Sequence, residues 1–388
     1  MSDVAFGLSS GTLDDIATAI YERQYPDHFK DRASFSEDGT DYTLDWDVSQ
    51  APTFDLSSDD GSTFHVDLPR MDLTLTVDGT PADDTASVRI AATVDASGSD
   101  LVATPLSATV STGRRFDDWV YNDKVVPIAL EVGRQLLAGI PLPVPDVEGI
   151  SLTQPVVWVG DDHLVLTADV EGESPGRDPD RWPDEPVFAV LGPNAVRAAT
   201  DVATGALDGQ SDSPHDETNI GVGTAYYKAT VTVDDVRGDG WVSDDLTTDV
   251  TASVSGSGSA GIEWIIGGST DGFFDLSLDP DPVATVRLAL DDAVLSASTA
   301  AVGGFELVLT PTDGDLVSEV LSWIVDALSG FISPYVSGAL EGISFEVYRV
   351  PTLHVDLDGV DFDAMPVDLD LSADDGTITV RGRLDITG

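Results

Sequence analysis

The chain has 388 residues, of which 70 are Asp or Glu and 18 are Lys or Arg, giving a formal net charge of −52. An anionic surface of this kind repels phosphate, so nucleic acid is excluded as a partner. Apolar residues make up 41% of the chain and cysteine is absent, which excludes charge-driven disorder, a disulfide framework and thiolate chemistry alike.

In chain order, the first helix is expected after Gly11-Thr12. Thr12 reads as its cap, Asp14 and Asp15 favour its first turn, and Leu13, Ile16, Ala17 and Ile20 follow at i, i+3, i+4 and i+7. Alternating strands come next: Tyr42-Leu44-Trp46-Val48, then Phe64-Val66-Leu68, Leu73-Leu75-Val77 and Val88-Ile90-Ala92-Val94. They are punctuated by Asp38-Gly39, Asp60-Gly61, Asp78-Gly79 and Gly98-Ser99, which suit tight turns of an antiparallel meander. A long helix over about residues 119 to 138 carries Val125, Ala129, Val132 and Leu136 on one stripe. After the strand Leu164 to Val170, residues 173 to 186 read as a Pro-rich linker.

The series then repeats. A helix opens at Pro193-Asn194 and buries Val196, Ala199, Ala203 and Leu207. Residues 208 to 218, with His215, read as a mobile loop, followed by the strand Tyr227 to Val233. A fourth helix spans about Leu316 to Phe331, with Val317, Leu321, Ile324 and Leu328 on its stripe. Leu353 to Leu357, Val367 to Leu371 and Ile378 to Leu384 close the chain as strands. Phe6 to Leu8 matches Phe188 to Leu191, Ala86 to Ala91 matches Ala284 to Ala289, and Asp169 to Gly172 matches Asp385 to Gly388, always in order. The expected organisation is therefore a tandem duplication, with one domain at 1–172, the linker at 173–186 and a second domain at 187–388.

Catalytic signals are sparse. Gly7-Leu8-Ser9-Ser10-Gly11 matches the G-x-S-x-G elbow of serine hydrolases and precedes a helix. Only six residues come before it, too few for the strand and loop that supply an oxyanion hole, so Ser9 reads as a helix-capping residue. Five histidines stand apart from metal-ligand spacing, and His65 and His354 occupy polar strand positions. No EF-hand loop or P-loop occurs, and the many paired acids, such as Asp83-Asp84, read as hydrated surface. The expectation is a non-enzyme without cofactor or metal. A carboxylate- or serine-dependent hydrolase is the least favoured alternative.

What remains is the apolar interior. Ala129, Gly133, Ala138 and Gly139 in the first long helix, and Ala327, Gly330 and Gly338 in and after the second, are small, which limits how fully a sheet coiled on each helix could fill. Elongated greasy cavities are expected there.

The order helix, meander, long helix and final strands, repeated in tandem, resembles the TULIP superfamily of tubular lipid-binding proteins, which includes the BPI-like proteins and clostridial toxin-cluster proteins of related fold. The resemblance rests on the helix starts at Leu13 and Val196 and on the terminal strands Leu164 to Val170 and Ile378 to Leu384. It implies an α+β fold of two TULIP-like domains, each a highly twisted antiparallel sheet wrapped around a long helix. It implies non-covalent binding and transfer of acyl or isoprenoid chains. Val125, Ala129, Val132, Leu136, Leu321, Ile324 and Leu328 would line the cavities, with Ile16, Ile20, Val196 and Ala199 as supporting wall. The partners implied are a lipid or other hydrophobic small molecule, transient membrane contact and a protein partner. The cysteine pair and basic tip of secreted BPI-like proteins are absent. The alternative function is an interaction scaffold with closed cores.

Lys30, Lys124 and Lys228 are the only lysines, and an acidic, lysine-poor chain is similar to proteins of salt-in halophiles. Self-repulsion would destabilise it in dilute buffer, whereas at about 1 M salt the screening length falls to roughly 3 Å. The N-terminus lacks a basic n-region, a twin Arg and an apolar stretch, and the run from Leu316 to Tyr335 is broken by Ser318, Glu319, Asp326 and Pro334. Both features point to a cytoplasmic protein without membrane spans.

Overall fold

The computed structural model describes residues 3–57, 63–97, 100–113, 115–138, 140, 147, 149–173, 182–314, 318–357 and 360–387. Its elements run in chain order as β1 (Val4–Ser9), α1 (Ser10–Gln24), β2 (Lys30–Glu37), β3 (Thr40–Val48), β4 (Thr53–Asp55), β5 (Thr63–Val77), β6 (Thr80–Ser97) and β7 (Asp100–Thr112). Then come α2 (Asp118–Val120), a π-helical turn (Tyr121–Val125), α3 (Val126–Ala138), β8 (Val156–Gly160), β9 (His163–Ala168), β10 (Val187–Leu191) and α4 (Pro193–Thr204). The remainder comprises β11 (Ser211–Asp212), β12 (His215–Asn219), β13 (Gly223–Gly238), β14 (Thr247–Trp264), β15 (Ser269–Asp279), β16 (Val283–Asp291), β17 (Val294–Val302), β18 (Glu306–Gly314), α5 (Ser318–Glu341), β19 (Ser344–Arg349), β20 (Leu353–Leu357), β21 (Val360–Asp374) and β22 (Thr377–Thr387).

Three antiparallel sheets result. The first follows β2-β3-β5-β6-β7, with β4 on β5; the second follows β11-β13-β14-β16-β17-β19, with β12, β15 and β18 joined beside it. The third runs β20-β21-β22-β10-β1-β9-β8, so β1 and β10, the first strands of the two expected copies, pair antiparallel at its middle. Alternation builds the outer sheets as expected: β5 buries Phe64, Val66, Leu68, Met71, Leu73 and Leu75, and β13 buries Ala225, Tyr227, Ala229, Val231 and Val233. The turns behave likewise. Asp38-Gly39, Asp78-Gly79 and Asp375-Gly376 all have positive φ at both positions, the geometry that matches hairpin twist.

The middle sheet obeys a different rule. Val4, Ala5, Phe6 and Leu8 of β1 are fully buried, as are the five residues of β10, because both faces are covered. One face joins the main core through Phe6, Leu8, Leu166 and Leu191. The other holds a smaller cluster of Ala5, Val165, Phe188 and Val190 under Trp158 and Trp182.

Several local expectations need correction. Of the two capping residues expected for α1, Ser9 holds the position and Thr12 lies inside the helix: Ser9 is extended, and its Oγ accepts the Thr12 N–H at 3.2 Å. The two stretches Phe64 to Leu68 and Leu73 to Val77 form one strand, β5, bulged at Pro69-Arg70 where proline cannot donate to the ladder. Part of the expected loop 208–218 pairs with β13 as β11 and β12. The fourth helix continues ten residues past Phe331, carrying Pro334 in its interior and burying Ile332, Val336 and Leu340. The apolar stripe outweighs the one hydrogen bond that proline removes. Asp60-Gly61, Gly98-Ser99, Gly139, Leu316, Val317 and residues 174–181 of the linker lie outside the described residues.

Candidate functional site

The first long helix starts where aromatic side chains gather. Trp119 meets Phe35 and Tyr42 edge to face at 5.9 and 5.5 Å, and Lys124 Nζ lies 4.7 Å from the Phe35 ring centre. Two residues on, the Tyr121 hydroxyl donates to the Asp84 carboxylate and accepts the Phe116 N–H at 3.1 Å. Asp84 also accepts from Thr112 Oγ1 at 2.6 Å. Burial opposes ionisation of Asp84, but the hydrogen bonds from Thr112, Tyr121 and two backbone N–H groups outweigh it and hold the carboxyl below its usual range. These contacts tie the start of the helix to β2, β3 and β6.

Past this anchorage, α3 lies on β6 and β7. Val125, Ala129, Val132 and Leu136 are all buried, and a Cβ on Gly133 would stand 2.8 Å from Ile90 Cδ1. That glycine is thus a close contact with the sheet, not a source of empty space. Gly330 and Gly338 are exposed on the solvent side of α5, and Ala138 is exposed too, so the expectation that these small residues loosen the interior does not hold. Helix α5 packs on β13, β14, β17 and β18, with Ile324 and Leu328 wholly buried and Trp323 edge to face with Tyr227 at 5.7 Å. Leu321 lies on α5, and its side chain is outside the description. Ile16 and Ile20 are wholly buried in α1, and Val196 and Ala199 are buried in α4. Ala203 and Leu207 are only half-buried, Leu207 standing beyond the end of α4, and Thr200 and Thr204 take the buried positions instead.

Open space beside this interior lies on the other flank of α3. A groove of about 400 Å³ separates α3 from β2 and β3. Its floor is apolar, formed by Ala33, Trp46, Ile128 and Val132; its rim is polar, with Asp27, His28, Arg32, Glu131 and Gln135. Among the expected lining residues Val132 alone borders it. Sequence reading missed Trp46 and Ile128, because Trp46 was assigned by alternation to the core and Ile128 falls off the helix stripe. A larger hollow of about 820 Å³ crosses the polar face of β2, β3, β5 and β6. Its cations are already engaged, Lys30 by Asp47 at 2.9 Å and Arg32 by Asp45 at 2.5 Å, so we place the site at the smaller, greasier groove.

The G-x-S-x-G residues have structural partners. Ser9 Oγ lies 3.1 Å from Thr12 Oγ1 and caps α1. His163 stands opposite Ser9 in the β1–β9 register, yet its Nδ1 and Nε2 face the carbonyl oxygens of Asp161 at 2.8 Å and Glu185 at 3.1 Å. Neither ring nitrogen is turned to the serine. Gly7 receives the Phe188 ring. Among the described residues no group of three or more His, Cys, Asp or Glu could hold a metal ion, and no helix is long and apolar enough to cross a membrane.

Comparison with known proteins gives a fold. No family model matches the chain, and no curated protein matches it. Among solved structures it is similar to P47 of Clostridium botulinum E1, with a TM-score of 0.52, 10% identity and 99% of each chain covered. The chain shares that fold. P47 from Clostridium botulinum A2 follows at 0.46 and 9% identity, covering 98% of this chain and 97% of that one. A lipopolysaccharide binding protein follows at 0.39 and 9%, covering 100% and 99%. The shared fold is an arrangement of curled antiparallel sheets with few helices.

Proposed function

We propose that this protein is a non-enzymatic lipid carrier that receives an acyl or isoprenoid chain through the groove between α3 and the β2–β3 hairpin. The observation that carries the reading is the groove itself: an apolar floor of Ala33, Trp46, Ile128 and Val132 under a polar rim, within the size range of small-molecule sites. A chain tail would lie on the floor and its polar end would meet the rim. Burying a methylene contributes about 0.8 kcal/mol, so some 16 carbons would supply over 10 kcal/mol before the entropy of association is subtracted. The groove spans only part of such a chain. The rest would have to part α3 from the sheet, against the close contact of Gly133 with Ile90. We further propose the two-domain layout of the sequence reading, joined through β1 and β10, with α5 as the equivalent lipid-side helix.

Native mass spectrometry and solvent extraction of protein purified in high salt test this. Co-purified lipid, lost on substituting Val132→Trp and Ile128→Glu with the fold intact, is the expected result. A lipid-free protein that takes up no fatty acid or isoprenol would overturn it. A second reading, a scaffold with closed cores, is favoured by the complete burial of Ile324 and Leu328, and it predicts no lipid in either half.

A further inference from the structure

One end of the second sheet breaks the usual turn chemistry. The Trp264 carbonyl accepts the Gly267 N–H at 2.9 Å, closing a β-turn whose two central residues are Ile265 and Ile266. Such positions favour Gly, Pro, Asn, Asp and Ser, yet these isoleucines are 72% and 95% exposed. The adjoining turn carries Ile220 and Val222, 42% and 58% exposed, and the Ile265 N–H donates to the Val222 carbonyl at 3.1 Å, so the two turns form one tip. Gly267 and Gly268, at φ +91° and +98°, supply the left-handed backbone that such a tip needs.

Charge withdraws from the same place. In a chain that is 23% charged, residues 218–227 and 264–270 contain no Asp, Glu, Lys or Arg. Behind the aliphatic apex stand Trp264, half-buried with its indole N–H donating to Thr270 at 3.2 Å, and Tyr226, whose hydroxyl donates to Asp271. Apolar residues at the point, amphipathic aromatics one step back and acids behind them match the layering of a bilayer surface.

We infer that this tip is a membrane anchor: Ile220, Val222, Ile265 and Ile266 enter the headgroup and acyl boundary of a lipid bilayer. A self-association surface fits less well, because four side chains on a convex point offer at most a few hundred Å² where a stable interface needs about 800 Å² per partner. A locally uncharged tip approaches a membrane without desolvating a charge, and salt that screens the acidic remainder leaves its apolar attraction in place. The inference deepens the carrier reading, on which it rests for its purpose, by naming the surface that meets the lipid source.

The test is flotation of the full chain with neutral phosphatidylcholine vesicles in about 2 M KCl, where surface charge is screened. Wild type is expected to float, and Ile265→Ser/Ile266→Ser to partition at least about tenfold less, with circular dichroism and lipid load by native mass spectrometry unchanged. Ile265→Leu/Ile266→Leu is expected to float as wild type does. Flotation unaffected by the serine pair, or wild type that stays in solution while carrying lipid, would overturn the anchor and leave carriage standing. Flotation of a protein that carries no lipid would support the anchor and overturn carriage. A dimer in light scattering that the serine pair converts to monomer would assign the tip to a second copy and sink the proposal.

Discussion

Gly7 and Phe188 offer the most direct test of how the two halves of the chain are joined. They stand opposite each other in the β1–β10 register, and the Phe188 ring lies flat across the glycine. A Cβ on Gly7 would fall 2.1 Å from Phe188 Cζ and 2.3 Å from Cε1, inside any tolerable contact. The ring has no easy escape, being stacked on Trp182 at 6.0 Å and tilted against His163 at 5.6 Å. Overpacking of this kind costs about 1–3 kcal/mol, less the roughly 0.4–1 kcal/mol that Ala gains over Gly by restricting the unfolded chain. Gly7→Ala should therefore destabilise by about 1–2 kcal/mol. Phe188→Ala should cost about 3–5 kcal/mol, and the double variant no more than that, because the new methyl then occupies vacated space. Urea unfolding in constant high salt, followed by circular dichroism, measures all four species, with an unchanged m-value as the control for two-state behaviour. Costs that simply add, or a Gly7→Ala protein as stable as wild type, would refute the claim that the ring fills the glycine's place.

Further outcomes follow from the same structure. Tyr121→Phe should cost about 1–3 kcal/mol by leaving the Phe116 N–H without its acceptor and Asp84 with one donor fewer, read by the same urea series. Because Asp84 is held below its usual range in the fold, its contribution is present above the ordinary carboxylate pKa of 3.8 and fades as pH falls through the depressed folded value; Asp84→Asn should flatten that acid limb of the stability curve. His354 is raised above 6.5, first by its hydrogen bond to Asp363 at 2.8 Å and then by the nearby acids. Its favourable contribution is present below 6.5 and disappears as pH rises through the folded value, and Asp363→Asn should shift its NMR titration midpoint downward. Pro334→Ala restores a donor to the Gly330 carbonyl at an exposed helix position and should stabilise by up to about 3 kcal/mol; destabilisation would show that α5 needs its proline bend. The thermal midpoint should climb steeply between about 0.1 and 2 M KCl, and equal midpoints would contradict the argument from self-repulsion.

The parts of the fold legible in the sequence are those buried on one face only. Tyr42 to Val48 and Tyr227 to Val233 alternate because one side of each strand meets the core and the other meets water, and the Asp-Gly pairs announce their turns. The middle sheet was harder to read: Val4-Ala5-Phe6-Gly7-Leu8 and Val187-Phe188-Ala189-Val190-Leu191 are apolar without a period, since neither face is wet. Phe6 to Leu8 and Phe188 to Leu191 are legible as matching segments, but a match between sequences carries no sign that the two strands pair with each other. The helix stripes Val125-Ala129-Val132-Leu136 and Ile324-Leu328 were legible for the same reason as the strands. The groove was not, because its floor combines a half-buried strand residue, Trp46, with Ile128 from beside the helix stripe, and nothing local couples two such positions.

Charge and fold are written in the same positions of this chain. Outward-facing strand residues carry the acids, and several of the few cations are spent on them across neighbouring strands: Arg89 holds Asp67 at 2.7 Å and Asp55 at 3.2 Å, Arg32 holds Asp45, and Arg383 holds Asp368 at 2.7 Å. Exposed pairs of this type contribute about 0–1 kcal/mol each, far too little to offset a net charge of −52, so the polar faces stay strongly anionic. An apolar or anionic ligand approaching those faces meets either tightly held water or repulsion. It can engage the protein where apolar atoms come within reach, as they do at the seam beside Ile128 and Val132 and at the uncharged turns with Ile220, Val222, Ile265 and Ile266. An acidic coat of this kind therefore selects the ligand's route as well as the solvent, and Ile266→Asp should close the route at the turns while leaving uptake at the seam untouched.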